Sequence, residues 1–199
     1  MRYWRLAVQA CLSVEVRPLR STFPAGSREA YRLGASALLI AVAVILAALG
    51  FEHLGGQAPC PLCLVERYAY YFSIPLLFLS LIAVSAHRAS LAAAGFFLVA
   101  LAFLANSGLA GYHTGAEWGF WPGPSTCSGG LQPLDSPADL LKGLKTARVV
   151  RCDQASWWFL GLSFAGWNTV VSTALWITAF LASRRAMNSS ATARSKFSI

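Results

Sequence analysis

Between Gly34 and Phe51 the chain reads GASALLIAVAVILAALGF, an apolar run with no charged side chain, long enough to cross a hydrocarbon core of about 30 Å as a helix. Three more stretches share this character: Leu64–Val84, Leu91–Tyr112 and Gly161–Ala182. The composition agrees, since 56% of the 199 residues are hydrophobic and 12% charged, which excludes an ordinary soluble domain. Backbone polar groups in lipid must be satisfied within the segment, and none of the runs alternates as a barrel strand does. The sequence therefore predicts an all-α integral membrane four-helix bundle. An even number of crossings leaves both termini on one side.

Basic residues orient the bundle. The side of the termini carries Arg2, Arg5, Arg17, Arg20, Arg28, Arg32, Arg88, Arg184, Arg185, Arg194 and Lys196, and the opposite side carries only Arg67, Lys142, Lys145, Arg148 and Arg151. The positive-inside rule puts the termini in the cytoplasm and two loops outside, in the periplasm of a bacterial inner membrane. The net charge of +8 comes without a nucleic-acid recognition motif, so topology accounts for it and no nucleic-acid partner is expected. Residues 1–33 read as a cytoplasmic basic extension, interrupted by Pro18 and Pro24, and 34–183 as the membrane domain. The Ser- and Ala-rich segment 184–199 reads as a disordered cytoplasmic tail. Cys11 lies in the extension, faces a reducing compartment and receives no redox role.

The second outer loop, from His113 to about Trp158, contains SPADLLKGLKTARVV (136–150). Ser136 and Asp139 have capping-box spacing, Pro137 suits a first helical position, and Leu140, Leu141, Leu144 and Ala147 share a face. This predicts a short amphipathic helix on the membrane, either anchoring the loop or moving Cys152 between partners. The flanking segments EWGFWPGP (117–124) and SWWFLGL (156–162) have the aromatic content of an interfacial belt, with a groove for a partner protein or the mouth of a lipid-soluble ligand site as the alternatives.

The chemistry gathers where the second span begins. In PCPLCLVER (59–67), Cys60 and Cys63 occupy the turn that opens a helix, where unpaired backbone N–H groups favour a thiolate. Arg67 shares a face with Cys63, and spacing leaves open whether it stabilises a thiolate, polarises an electron acceptor or snorkels to the interface. Glu66 reads as an acidic residue favoured by the first helical turn. Cys127 and Cys152 bracket a Gly-, Pro- and Ser-rich loop, and a bridge between them would be either redox-active or a structural staple. One C-x-x-C with two distant thiols is a poor zinc pattern, so no metal is expected. His113, at a span end, reads first as an interfacial hydrogen-bonding group.

CPLCLVER, the WPGPSTC segment ending at Cys127 and CDQASWWFLGL (152–162) together resemble the bacterial DsbB disulfide-bond formation family, over about Gly34 to Ala182. The resemblance implies a membrane disulfide oxidoreductase that reoxidises a periplasmic DsbA-type thiol oxidase and passes the electrons to ubiquinone or menaquinone. It implies that Cys127 is attacked by the DsbA thiolate, that Cys152 then engages Cys60, and that the Cys60–Cys63 disulfide returns when the Cys63 thiolate adds to the quinone. Arg67 matches the quinone-binding arginine of the family, and His113 matches a histidine near the quinone at slightly different spacing. A DsbA-type protein, at about −120 mV, is a strong oxidant, so its regeneration needs a stronger acceptor such as a quinone. Two rival readings are a quinone-linked thiol oxidoreductase of the vitamin K epoxide reductase type and a non-enzymatic membrane adaptor stapled by two disulfides.

Overall fold

The computed structural model describes residues 25–123, 151–153, 155 and 157–197, with side chains for 26–189 of these. Among the described residues, four helices are long and apolar enough to cross a membrane. They are α1 (Ala25–His53), α2 (Pro61–Ser85), α3 (Ala89–Glu117) and α4 (Phe164–Phe197). A two-stranded hairpin, β1 (Trp158–Phe159) and β2 (Leu162–Ser163), leads into α4. The Cys11, Cys127, Ser136–Ala147, Lys142, Lys145 and Arg148 expectations lie outside the described residues.

The helices extend beyond the apolar runs. Helix α1 begins at Ala25 rather than Gly34, and α4 runs on to Phe197 through the segment read as a disordered tail. Hydropathy marks where the hydrocarbon ends, whereas a helix ends only where a breaker stops it, and the chain has no Gly or Pro after Gly166. The extra turns also pack: Ala30 and Ala186 are buried, and Glu29 pairs with Arg185 at 3.0 Å. At the other boundary the fourth helix starts later than its apolar run. Leu160 and Gly161 take φ of 52° and 80°, the pattern of a tight hairpin turn, and pair Trp158 with Ser163 and Phe159 with Leu162.

The short connections between α1 and α2 and between α2 and α3 make those helices antiparallel neighbours. Helix α2 stops at a Schellman motif in which the Arg88 N–H bonds the Ala83 carbonyl at 2.8 Å and the His87 N–H bonds that of Val84 at 3.1 Å. His87 holds the left-handed position, with φ 57°. Helix α3 ends in the same motif, with Gly119 at that position. Each helix packs on its neighbours in sequence, and α1 closes the ring against α4.

The ring is filled by small residues facing large ones. Ala30, Ala37 and Ala41 of α1, with Gly34 among them, let Phe96 of α3 reach the bundle centre, where a Cβ on Gly34 would sit 2.6 Å from its ring. In lipid such close packing, rather than escape from water, holds helices together. Leu39, Leu46, Phe78 and Leu79 point outward, as lipid-facing residues do. One end of the bundle carries the chain entry into α1, the α2–α3 turn and the end of α4. The other gathers the α1–α2 turn, the end of α3, Cys152 and the hairpin.

Candidate functional site

Cys60 caps α2 from the extended backbone region, followed by Pro61 at the first helical position, where a missing N–H costs nothing. Its sulfur takes the Cys63 backbone N–H at 3.2 Å and shares a hydrogen bond with the Cys63 sulfur at 2.7 Å. Both are free thiols. The Cys63 thiol contributes most to holding Cys60 as a thiolate. With the His113 ring and the Cys63 N–H it outweighs burial, and Cys60 falls to about 4. The helix start does favour an anion, and it collects on the capping cysteine.

His113 lies in the last turns of α3 and is 1% exposed. Its Nε2 stands 3.7 Å from the Cys60 sulfur, and its Nδ1 meets Glu66 Oε1 at 2.8 Å. Glu66 is thus no first-turn surface acid. It sits one turn further along α2, 4% exposed, because its face of the helix points into the bundle. Asn168 of α4 donates to Glu66 Oε2 at 2.7 Å, and the Tyr70 hydroxyl donates to Asn168 Oδ1 at 2.7 Å. Ser172 donates to the same Oδ1 at 3.2 Å, and Asn106 donates to Ser172 Oγ at 2.9 Å. Glu117, one turn beyond His113, accepts from Ser163 through one oxygen and holds the other 4.0 Å from Nε2.

Beside these groups lies a cavity of about 390 Å³. Val44, Ile45, Phe51, Trp157 and Phe164 give it apolar walls, and Cys60, Cys63, Arg67, Glu52 and His113 give it polar points. Arg67 is ion-paired with Glu52 from the end of α1, which holds it at the cavity wall. Trp157 stacks on Phe164 at 4.8 Å and meets Phe51 at 5.5 Å, closing one side with rings. Trp118, Phe120, Trp158 and Phe159 remain exposed at this end, where a membrane interface would meet them.

Cys152 is buried against Cys60, Leu62 and Cys63 and is itself disulfide-bonded. Its sulfur, that of Cys60 and a ring nitrogen of His113 lie within 4.8 Å of one another. A sulfur already bonded to sulfur is a poor metal ligand, so the cluster suits thiol–disulfide exchange better than metal binding. The fold therefore joins Cys60, Cys63, Arg67, His113 and Cys152 in one place. Glu66 belongs to it as well, and so do Tyr70, Asn168, Glu117 and Glu52, which the sequence pattern does not single out. For Glu66, Tyr70 and Asn168 a signal is present, since ionisable and amide side chains inside apolar runs seldom sit there without a partner, whereas Glu52 and Glu117 lie just outside the runs.

A family profile described as Disulfide bond formation protein DsbB matches residues 31–182. The chain belongs to the DsbB family. It is 37% identical to Disulfide bond formation protein B of Herminiimonas arsenicoxydans over 117 residues, 58% of this chain and 63% of that one. It is 33% identical to Disulfide bond formation protein B 1 of Pseudomonas fluorescens strain Pf-5 over 134 residues, 66% of this chain and 76% of the other. The strain Pf0-1 protein of the same description is 32% identical over 135 residues. The match spans less than two thirds of the Herminiimonas protein. No solved structure matches the chain. The DsbB match runs from within α1 to within α4 and takes in α2, α3 and the hairpin whole.

Proposed function

We propose that the chain is a membrane disulfide oxidoreductase that reoxidises a DsbA-type periplasmic dithiol protein and delivers the electrons to ubiquinone or menaquinone. One observation carries this reading: a free Cys60–Cys63 pair opens onto an apolar cavity, with the sulfur of a disulfide-bonded Cys152 within 4.8 Å of Cys60. Family membership supports the disulfide chemistry. The acceptor is read from the cavity, whose volume and mostly apolar walls suit a lipid-soluble ring compound with a few polar points.

In this reading the partner thiolate attacks Cys127, forming a mixed disulfide and freeing Cys152. Cys152 then bonds to the Cys60 sulfur and frees Cys63. Return of the Cys127–Cys152 bridge leaves Cys60 and Cys63 as the reduced pair, while the partner departs as a disulfide. A quinone, if bound, would supply a two-electron, two-proton acceptor for the closing of this pair to a disulfide. Arg67 and His113 would hold its oxygens, with Glu52 keeping Arg67 at the cavity wall. Phe51, Trp157 and Phe164 give that side of the cavity an apolar wall of packed rings. The basic residues Arg28, Arg32, Arg88, Arg184 and Arg185 gather at the far end, which supports cytoplasmic termini and a periplasmic site in the inner membrane.

Thiol trapping of the purified protein tests this. Dithiol-form DsbA should reduce the outer cysteines, and reoxidation should occur only with quinone present. Disulfides that DsbA leaves unchanged would instead support the stapled adaptor.

A further inference from the structure

The buried chain behind His113 is more elaborate than packing requires. Glu66 comes from α2, His113 from α3 and Asn168 from α4, and each oxygen of Glu66 has its own partner. Asn168 is held in one orientation, because its Oδ1 receives both the Tyr70 hydroxyl and Ser172, which turns its NH₂ to Glu66. A buried carboxylate so fixed accepts a hydrogen bond from Nδ1–H and leaves Nε2 aimed at the Cys60 sulfur, the arrangement of a nucleophile, a base and an orienting carboxylate.

We propose that Glu66, clamped by Asn168 and Tyr70, is a positioning residue that orients His113 as the proton acceptor of Cys60. This rests on the oxidoreductase reading of the same site. In the step, the Cys60 S–H bond breaks, the proton moves to His113 Nε2, and the electron pair stays on sulfur. That thiolate can bond to the Cys152 sulfur as the existing Cys152 disulfide breaks, its other sulfur leaving as a thiolate. Electrons balance without a further oxidant. Run backwards, the imidazolium returns the proton to Cys60.

The charges facing this group are few. Cys60 and Glu66 approach the ring from α2 and its cap, and Glu117 from the ring's own helix, its carboxylate held by Ser163. Cys152 is bridged, and Asn168, from α4, is neutral. Cys63 lies beside Cys60, while Arg67 is paired with Glu52 from α1.

The test uses the full-length protein with Cys60 and Cys63 reduced and Cys152 bridged, without quinone or partner, so it reads this inference separately from the proposed overall reaction. Iodoacetamide alkylation of Cys60, mapped by mass spectrometry, is followed against pH. Glu66→Gln should raise the alkylation midpoint by about one pH unit, because the imidazolium loses its counter-charge and the thiolate its partner. Tyr70→Phe, which removes one hydroxyl, should move it the same way by less. In turnover, a separate readout, Glu66→Gln should lower kcat about tenfold. A Glu66→Gln profile that superimposes on the wild type in folded protein would overturn the proposal. Should that variant fail to fold, an unshifted Tyr70→Phe profile would overturn it equally.

Discussion

The two ends of the bundle are built from the same helices on opposite plans. At the far end Gly34, Ala37 and Ala41 let Phe96 fill the centre, and the Glu29–Arg185 ion pair stays half-exposed. At the cysteine end Glu66 and His113 are buried, a cavity of about 390 Å³ remains open, and Tyr70, Asn168 and Ser172 take the place of apolar filling. Close packing makes the first end stable. The second gives up packing to hold polar groups in low dielectric, where an unpartnered one would be costly. The division of labour teaches that stability and chemistry can be disturbed separately.

The largest expected effect is at the cysteine end: Cys63→Ala should abolish disulfide transfer while leaving thermal stability near wild type, measured by turnover and melting in detergent. Next comes acidity. Because Cys60 is held at about 4, its alkylation should stay nearly level from pH 8 to about 5.5 and fall only as the pH drops through 4, whereas an ordinary thiol slows from about 8.5 downward. At the far end Gly34→Leu should reverse the pattern. The added side chain meets Phe96 and should cost about 2 kcal/mol of stability, with residual folded protein still active.

Smaller effects sharpen the same contrast. Arg67→Ala should raise the apparent quinone KM about tenfold while leaving Cys152 reducible by DsbA, since it removes one charged hydrogen-bond donor from the cavity and nothing from the exchange path. Glu29→Gln should change stability by less than about 0.5 kcal/mol, as exposed pairs contribute little. A large Glu29 effect or normal quinone kinetics in the Arg67 variant would blur the contrast between the ends.

Much of this was legible in the chain. Hydropathy located the four helices because lipid selects apolar residues along their whole length, and C-x-x-C at a helix start marked the pair that lines the cavity. The helix ends were hidden, since Glu29, Arg32 and Arg185 are good helix formers that hydropathy discards. Glu66 was misread because its neighbour Arg67 and its nearness to the helix start suit a surface acid equally well. Only the three-dimensional meeting of α2, α3 and α4 reveals that it faces His113. Tyr70 and Asn168 were passed over as members of apolar spans, though Glu66–Tyr70 and Asn168–Ser172 share the spacing of one helical face.

The most direct measurement omits the partner protein. Protein with Cys60 and Cys63 reduced and Cys152 bridged is mixed with quinone alone, and free thiols and quinol are counted after quenching. Both the Cys60 and Cys63 thiols should be lost for each quinol formed, and none should be lost without quinone. Thiols that persist in excess quinone would contradict electron transfer from this pair to quinone.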